Sequence, residues 1–406
     1  MIREPLRMTT IRNMLVIAAI GLSAIATALD VSAKSAIIID ADSGKVLWEK
    51  DADTPRYPAS TTKIMTALLL IEHCLPTDVI VAPQNIEDVK ESSIHLKPGE
   101  KMSARDMLYA LMLRSANDGC VAVACHISGT VPAFVKLMND RAKELGCTHT
   151  FFHNPNGLND EQHKICARDL AIIAQAAMKY ELFRETVKTK KVWIKRSSDS
   201  KDLYLTNHDK WLTADSTADG IKTGWTIPAG HCFVGSATRN GYRIITVILK
   251  SDNWQKDHQQ MLLWGFGNYS RSLYAAKGTE VAKAPVAHGN VAEVPVMVDS
   301  DIYHIMRKGT SPNVVVVPSF KPGLEAPITV GQEIGTATFS DGTGWHVQAP
   351  LVAGAALVRM APLAGTTSSK AGFGILGGAL LVGTVAFRSR RRRAKSYAQA
   401  ARSTIS

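Results

Sequence analysis

A long helical block lies between two pairs of strand-like runs in this 406-residue chain, and that order restricts its fold more than any other feature. After Ser35, AIIIDADSGKVLWEKDAD reads as an apolar strand, a D-S-G turn and a second strand. From residue 58 to about 185 helical periodicity dominates, most clearly in ARDMLYALMLRSANDGCVAVACHIS and VPAFVKLMNDRAKELG. Strand signals return in GHCFVGSATRNGYRIITVIL, two β-rich runs about an R-N-G turn. A helix over QKDHQQMLLWGFGNYSRSLY is expected next. The result is a strand–helices–strand body.

After about residue 277 the texture changes. AHGNVAEVPVMV, PNVVVVPSF, EAPITVGQEIGTATF and PLVAGAALVRM are short Val-rich runs between Pro/Gly turns, as in a small all-β sandwich. This places a first domain at 34–276 and a second at 277–362, with a small, polar linker at 363–370.

The two ends have separate tasks. Arg3, Arg7 and Arg12 precede the apolar stretch from Met14 to Leu29, and V-S-A at 31–33 and A-T-A at 26–28 are small-residue cleavage patterns. Residues 1–33 therefore read as a secretory signal, with cleavage expected after Ala33. At the other end, residues 371–387 carry no charge and are followed by RSRRRR. As a helix these 17 residues reach roughly 25 Å, and Lys370 and Arg388 can snorkel to complete a membrane span. Residues 388–406 would then be a basic cytoplasmic tail. The expectation is an exported protein anchored in the cytoplasmic membrane with its domains on the outer, periplasmic face.

Seven of the +11 net charges sit in that tail, so the high pI makes no case for nucleic acid. Six cysteines (74, 120, 125, 147, 166, 232) lack paired C-x-x-C spacing, which gives neither a disulfide framework nor a zinc site. Cys147 and Cys166 could pair across their loop.

Three short motifs carry chemistry. Ser60 and Lys63, in YPASTTKIMTALLLIEH, stand one helical turn apart where an apolar helix begins. Taken alone, the commoner reading is a cap and a solvated cation. Ser115-Ala-Asn117 and Lys222-Thr223-Gly224 then follow, the latter just before the second hairpin. The three in this order form the S-x-x-K, S-x-N, K-T-G set. A serine hydroxyl needs an adjacent base, and a lysine serves only when neutral. Burial and a second cation both favour that state, and Lys222 is the candidate cation.

The stretches DSGKVLWEKDADTPRYPASTTKIMTALL, SANDGCVAVA, LGCTHTFFHNPNGLND and DGIKTGWT resemble the low-molecular-weight penicillin-binding proteins, the serine D-alanyl-D-alanine carboxypeptidases. The similarity runs over roughly residues 35–360. It implies a β-lactamase/transpeptidase-like α/β (α+β) domain, an antiparallel sheet with helices on both faces, followed by the β-sandwich. It implies Ser60 as nucleophile, Lys63 as general base, and Ser115 on the proton route. Asn117, Lys222, Thr223 and Gly224 would bind substrate, and the backbone N–H groups of Ser60 and Trp225 would form the oxyanion hole. The substrate would be a peptidoglycan stem peptide, with β-lactams as inhibitors and no metal or organic cofactor. A D,D-endopeptidase and a penicillin-binding scaffold with vestigial catalysis are the alternative functions. One departure concerns KSDNWQKDHQQM, where relatives often carry an arginine for the substrate carboxylate and this chain has Trp254 and Lys256.

Overall fold

The computed structural model describes residues 29–89, 91–198, 203–311 and 313–360. Most of the signal stretch, the linker, the 371–387 segment and the basic tail lie outside them. Among the described residues no single helix is long and apolar enough to cross a membrane.

In chain order, β1 (Ser35–Asp40) and β2 (Val46–Lys50) form the first hairpin, and a 3-10 turn (Ala59–Thr62) leads into α1 (Lys63–His73). Next come β3 (Val79–Val81), β4 (Lys101–Ser103), α2 (Ala104–Tyr109), a π-helical turn (Ala110–Arg114) and α3 (Asn117–Ser128). Four helices and two short strands follow: α4 (Val131–Glu144), α5 (Ala167–Met178), α6 (Glu181–Lys188), β5 (Lys191–Trp193), β6 (Tyr204–Thr206) and α7 (Trp211–Ala214). β7 (Ala218–Thr226), β8 (Gly230–Arg239), β9 (Tyr242–Ser251) and α8 (Trp254–Asn268) complete this region. The last strands are β10 (Tyr269–Ala275), β11 (Glu280–Pro285), β12 (Glu293–Val298), β13 (Ile302–Arg307), β14 (Val315–Phe320), β15 (Glu333–Ser340) and β16 (His346–Ala353).

The expected hairpins and helical block are all present. The main sheet has the order β2–β1–β9–β8–β7, which leaves β7 on an edge. Every residue of β1 is buried, as are six consecutive residues in each of β8 and β9. Strands buried at both alternating sets of positions need cover on both faces. The turn between β8 and β9 uses Asn240 and Gly241, both at positive φ, as a tight two-residue hairpin requires. Helix α1 is buried from Lys63 to Leu70, which makes it a central helix with no wet stripe over that length. Two sequence expectations shift. The helix after β9 stops at Asn268, because YSRSLYA pairs as β10 with β13.

The described residues divide into two compact units, and the second takes in 38–49, 237–245 and the described residues from 266 to 360. β10 therefore belongs to it, ahead of the boundary expected at 277. Its larger sheet runs β11–β12–β16–β15–β14, with antiparallel pairing from β11 through to β14. β12 alternates buried and wetter positions, so one face holds Val294, Val296 and Val298 in the core. In the same unit Lys45 is nearly enclosed, with its Nζ 2.9 Å from Asp341 Oδ2, 2.6 Å from Thr343 Oγ1 and 3.2 Å from the Ile305 carbonyl. His304 Nε2 reaches the same Asp341 oxygen at 2.9 Å. Both charges of the ion pair are about 6% exposed, so removing one strands the other in a dry place.

Asp341→Ala is expected to destabilise this unit by about 3–5 kcal/mol in urea unfolding, whereas Lys45→Met/Asp341→Leu together should cost much less. Equal losses in the single and double variants would contradict the account of Lys45 as a stranded charge.

Candidate active site

The first unit brings the three sequence motifs together through four short local structures. Ser60 stands in the 3-10 turn that opens α1. The turn is held by hydroxyls bonding back three residues: Thr61 Oγ1 donates to the Pro58 carbonyl at 2.7 Å, and Thr62 Oγ1 to the Ala59 carbonyl at 2.9 Å. Ala59 itself takes φ +50°, a left-handed conformation that alanine adopts only under constraint.

Lys63 follows one turn later with no exposed surface. Its Nζ lies 2.9 Å from Ser60 Oγ, 2.8 Å from Asn117 Oδ1 and 2.6 Å from the Asn156 carbonyl. Two of these three partners can only accept. A neutral amine therefore keeps its two N–H groups on Asn117 and Asn156, and its lone pair faces the Ser60 hydroxyl. Burial pushes the Lys63 pKa down to about 8.

Asn156 is presented by the H-N-P-N-G loop, whose turn residues fold back on themselves. Asn154 Oδ1 accepts from the N–H groups of Gly157 (2.7 Å) and Asn156 (3.3 Å). Gly157 is at φ +87°, and a Cβ there would lie 1.9 Å from the Ala59 carbonyl oxygen. Only glycine lets this loop lie against the serine's turn.

His163 joins the two pieces, and nothing in its sequence context marked it. Its Nδ1 accepts from the backbone N–H of His153 (3.1 Å) and Asn154 (3.3 Å), so the ring proton is on Nε2. That Nε2–H donates to Thr62 Oγ1 at 3.0 Å. Burial lowers its pKa to about 4, which keeps the ring neutral at ordinary pH. The nearer His153 is half exposed and pairs with Asp160.

Ser115 ends the π-helical turn in a left-handed conformation, φ +63° and ψ +37°. It is 5% exposed, and its Oγ is buried without a hydrogen-bond partner among the described residues. Such an orphaned hydroxyl on a strained residue is rare outside functional sites. Asn117 begins α3, and its backbone N–H donates to the Ser92 carbonyl at 2.7 Å. Asp118, also unflagged by sequence, gathers the N–H groups of Ile94 (3.2 Å) and Leu96 (2.9 Å) and the Ser93 hydroxyl (2.6 Å). It thereby fixes the 92–96 loop beside the S-A-N motif.

Lys222, on edge strand β7, is 2% exposed and donates to the Thr223 carbonyl at 2.9 Å. Burial, and then the charge of Lys63, push its pKa down to about 7. Among the described residues no carboxylate pairs with either lysine. Gly224 brings β7 against the serine: a Cβ there would lie 2.9 Å from the Ser60 amide nitrogen. Trp225 follows with its side chain 58% exposed. Trp254 is a core residue packed against Phe233, with ring centroids 4.3 Å apart and planes tilted by 34°, while Lys256 is at the surface. Cys120 is fully buried, and burial raises its thiol to about 12, which keeps it an inert packing group. All six cysteines, Cys147 and Cys166 included, are free thiols.

A family model described as D-alanyl-D-alanine carboxypeptidase matches residues 23–253. A second, described as the C-terminal domain of penicillin-binding protein 5, matches residues 269–359. The D-alanyl-D-alanine carboxypeptidase DacF of Bacillus subtilis is 35% identical over 313 residues, 75% of this chain and 80% of the relative. DacA of Escherichia coli, of the same description, is 31% identical over 340 residues, 79% of this chain and 83% of the relative. Among solved structures, a peptidoglycan synthesis regulatory factor (PBP3) from Streptococcus pneumoniae superposes with a TM-score of 0.72 at 26% identity. That match covers 81% of this chain and all of the other.

Two substitutions test the frame around Ser60. Gly157→Ala should displace the Ala59–Ser60 turn and slow acylation of Ser60 by a fluorescent β-lactam by about a hundredfold. His163→Ala, which unlinks loop and turn, should lower stability by about 1–3 kcal/mol and slow the same acylation. Wild-type acylation rates in both folded variants would remove these residues from the positioning frame.

Proposed function

We propose a reaction for this cleft from one premise: the chain belongs to the D-alanyl-D-alanine carboxypeptidase family of serine peptidases. Its reaction is hydrolysis of the terminal D-Ala–D-Ala bond of a peptidoglycan stem peptide, through an acyl-enzyme on Ser60. The observation that carries this reading is the arrangement at Lys63 Nζ, with two carbonyl acceptors and one hydroxyl within 2.9 Å.

The steps follow from that arrangement. Lys63 in its neutral form takes the Ser60 proton as Oγ attacks the penultimate carbonyl carbon. The oxyanion that develops is met by the backbone N–H groups of Ser60 and Trp225. The proton then passes by way of Ser115 to the leaving D-alanine nitrogen. Water, deprotonated by the same lysine, hydrolyses the ester and frees Ser60. A substrate strand laid along the edge of β7 meets Lys222, Thr223 and Gly224, with Asn117 on its other side.

Lys222 has a double task in this scheme. Its repulsion with Lys63 is mutual, so a protonated Lys222 favours the neutral base. A substrate carboxylate beside Lys222 raises that lysine's pKa and holds it protonated, which keeps Lys63 neutral when the substrate arrives. β-Lactams acylate the same serine and are released slowly. In the stretch where relatives often supply an arginine for the carboxylate this chain has the buried Trp254 and the exposed Lys256, which leaves Lys222 and Thr223 with a larger share of that contact.

The leader-like N-terminus and the uncharged 371–387 stretch support export and anchoring at the outer face of the cytoplasmic membrane, where peptidoglycan is found.

D-Alanine release from a pentapeptide ending in D-Ala–D-Ala tests the reading. Ser60→Ala should abolish release, and retained activity would overturn the assignment. Because the base must be neutral, kcat/KM should fall as pH drops through about 8. Lys222→Ala should reduce kcat/KM at least a hundredfold through loss of the carboxylate contact, and an almost unchanged kcat/KM would remove Lys222 from the site.

A further inference from the structure

We infer that leader removal occurs after Ala28, so that residues 31–33 remain in the exported chain as part of its folded first unit. The inference rests on the export reading above. The sequence offers two small-residue patterns, A-T-A at 26–28 and V-S-A at 31–33. Pattern alone favoured the second, and the packing of the chain favours the first.

Residues 31–33 are built into the fold. Val31 is 3% exposed and Ala33 has no exposed surface. Between them, Ser32 is fastened to Asp257 in the first turn of α8. Asp257 Oδ1 accepts from the Ser32 N–H at 2.8 Å. Its Oδ2 accepts from Ser32 Oγ at 2.8 Å, the Ala33 N–H at 2.9 Å and Ser251 Oγ at 2.7 Å. Ser32 Oγ in turn accepts from the N–H groups of Asp252 (3.2 Å) and Asn253 (3.3 Å). On the other side Lys50 Nζ donates to the Val31 carbonyl at 2.8 Å.

Asp257 is 1% exposed, so its charge depends on these donors. A chain beginning at Lys34 lacks three of the four and keeps only Ser251. Its new α-ammonium would keep the bond that the Lys34 nitrogen makes to the Lys250 carbonyl at 3.1 Å, while the Ser32 hydroxyl and the two backbone N–H groups that meet Asp257 would be gone. Cleavage after Ala33 would thus leave a dry carboxylate short of donors and empty the sites of two buried side chains. Cleavage after Ala28 leaves all of these contacts intact. The reaction is hydrolysis of the Ala28–Leu29 peptide bond by a leader peptidase with pockets for small residues, here Ala26 and Ala28. Water supplies the hydroxyl to the Ala28 carboxylate and the proton to the Leu29 amine.

The test is N-terminal sequencing and intact mass of the full chain recovered from the membranes of cells that produce it, alongside the Ala28→Lys variant. A first residue of Leu29, with processing lost in Ala28→Lys, is the expected result. A start at Lys34, or normal processing of Ala28→Lys, overturns this inference and leaves the export reading standing. An uncleaved chain starting at Met1 overturns this inference and, with it, the reading of residues 1–33 as a removable signal. Ser32→Ala supplies a readout that does not depend on export. The thermal midpoint of the full chain should fall by about 3–6 °C with β-lactam acylation retained, and an unchanged midpoint would show that these residues are no part of the folded unit.

Discussion

A lysine ammonium buried without a carboxylate partner is the constraint on which the site depends. Lys63 has no exposed surface, and burial moves its pKa down to about 8. The position is tolerable because Asn117 and Asn156 give its N–H groups two acceptors whichever charge it carries. A carboxylate in either place would stabilise the ammonium and hold its proton. The amide and backbone carbonyls satisfy the amine without holding its proton. Much of the first unit arranges those carbonyls: the Asn154 turn presents one, and the π-helical break before α3 presents the other.

Strain marks the same region. Ala59 and Ser115 both take left-handed backbones, and Gly157 lies close enough to Ala59 to exclude any Cβ. Each costs on the order of 1–3 kcal/mol and persists only where neighbours fix it. The neighbours are identifiable. Thr62, His163 and the 153–157 loop hold the first, and Asp118 with the 92–96 loop steadies the helix that follows the second. The buried neutral histidine does its work through hydrogen-bond direction alone.

The second unit uses the same physics differently. There a buried lysine does have a carboxylate, and Lys45 Nζ and His304 Nε2 both meet Asp341 Oδ2, with Thr343 Oγ1 beside the lysine. Pairing holds Asp341 well below the usual carboxylate range. Comparing Lys45 with Lys63 makes the distinction plain: a carboxylate holds the proton of the first, and the second has only neutral acceptors.

What the sequence determined by itself was local or additive. Periodicity gave the helical block and the alternating strands, the Asn240–Gly241 turn gave the second hairpin, and the three motifs supplied Ser60, Lys63, Ser115, Asn117 and Lys222. Such signals are readable because spacing along one element dictates which side chains share a face. The end of α8 was misplaced because YSRSLYA has no strong preference, and its pairing with β13 decides its state. His163, Asn156 and Asp118 were invisible for a related reason: their importance lies in partners that include groups 22 to 101 residues away. Only the folded chain decided that a carbonyl would meet Lys63, that a neutral ring would bridge a loop to the serine's turn, and that Ser32 would fasten to Asp257. Hydrogen-bond partners and burial are properties of juxtaposition, and the packed fold supplies the juxtaposition.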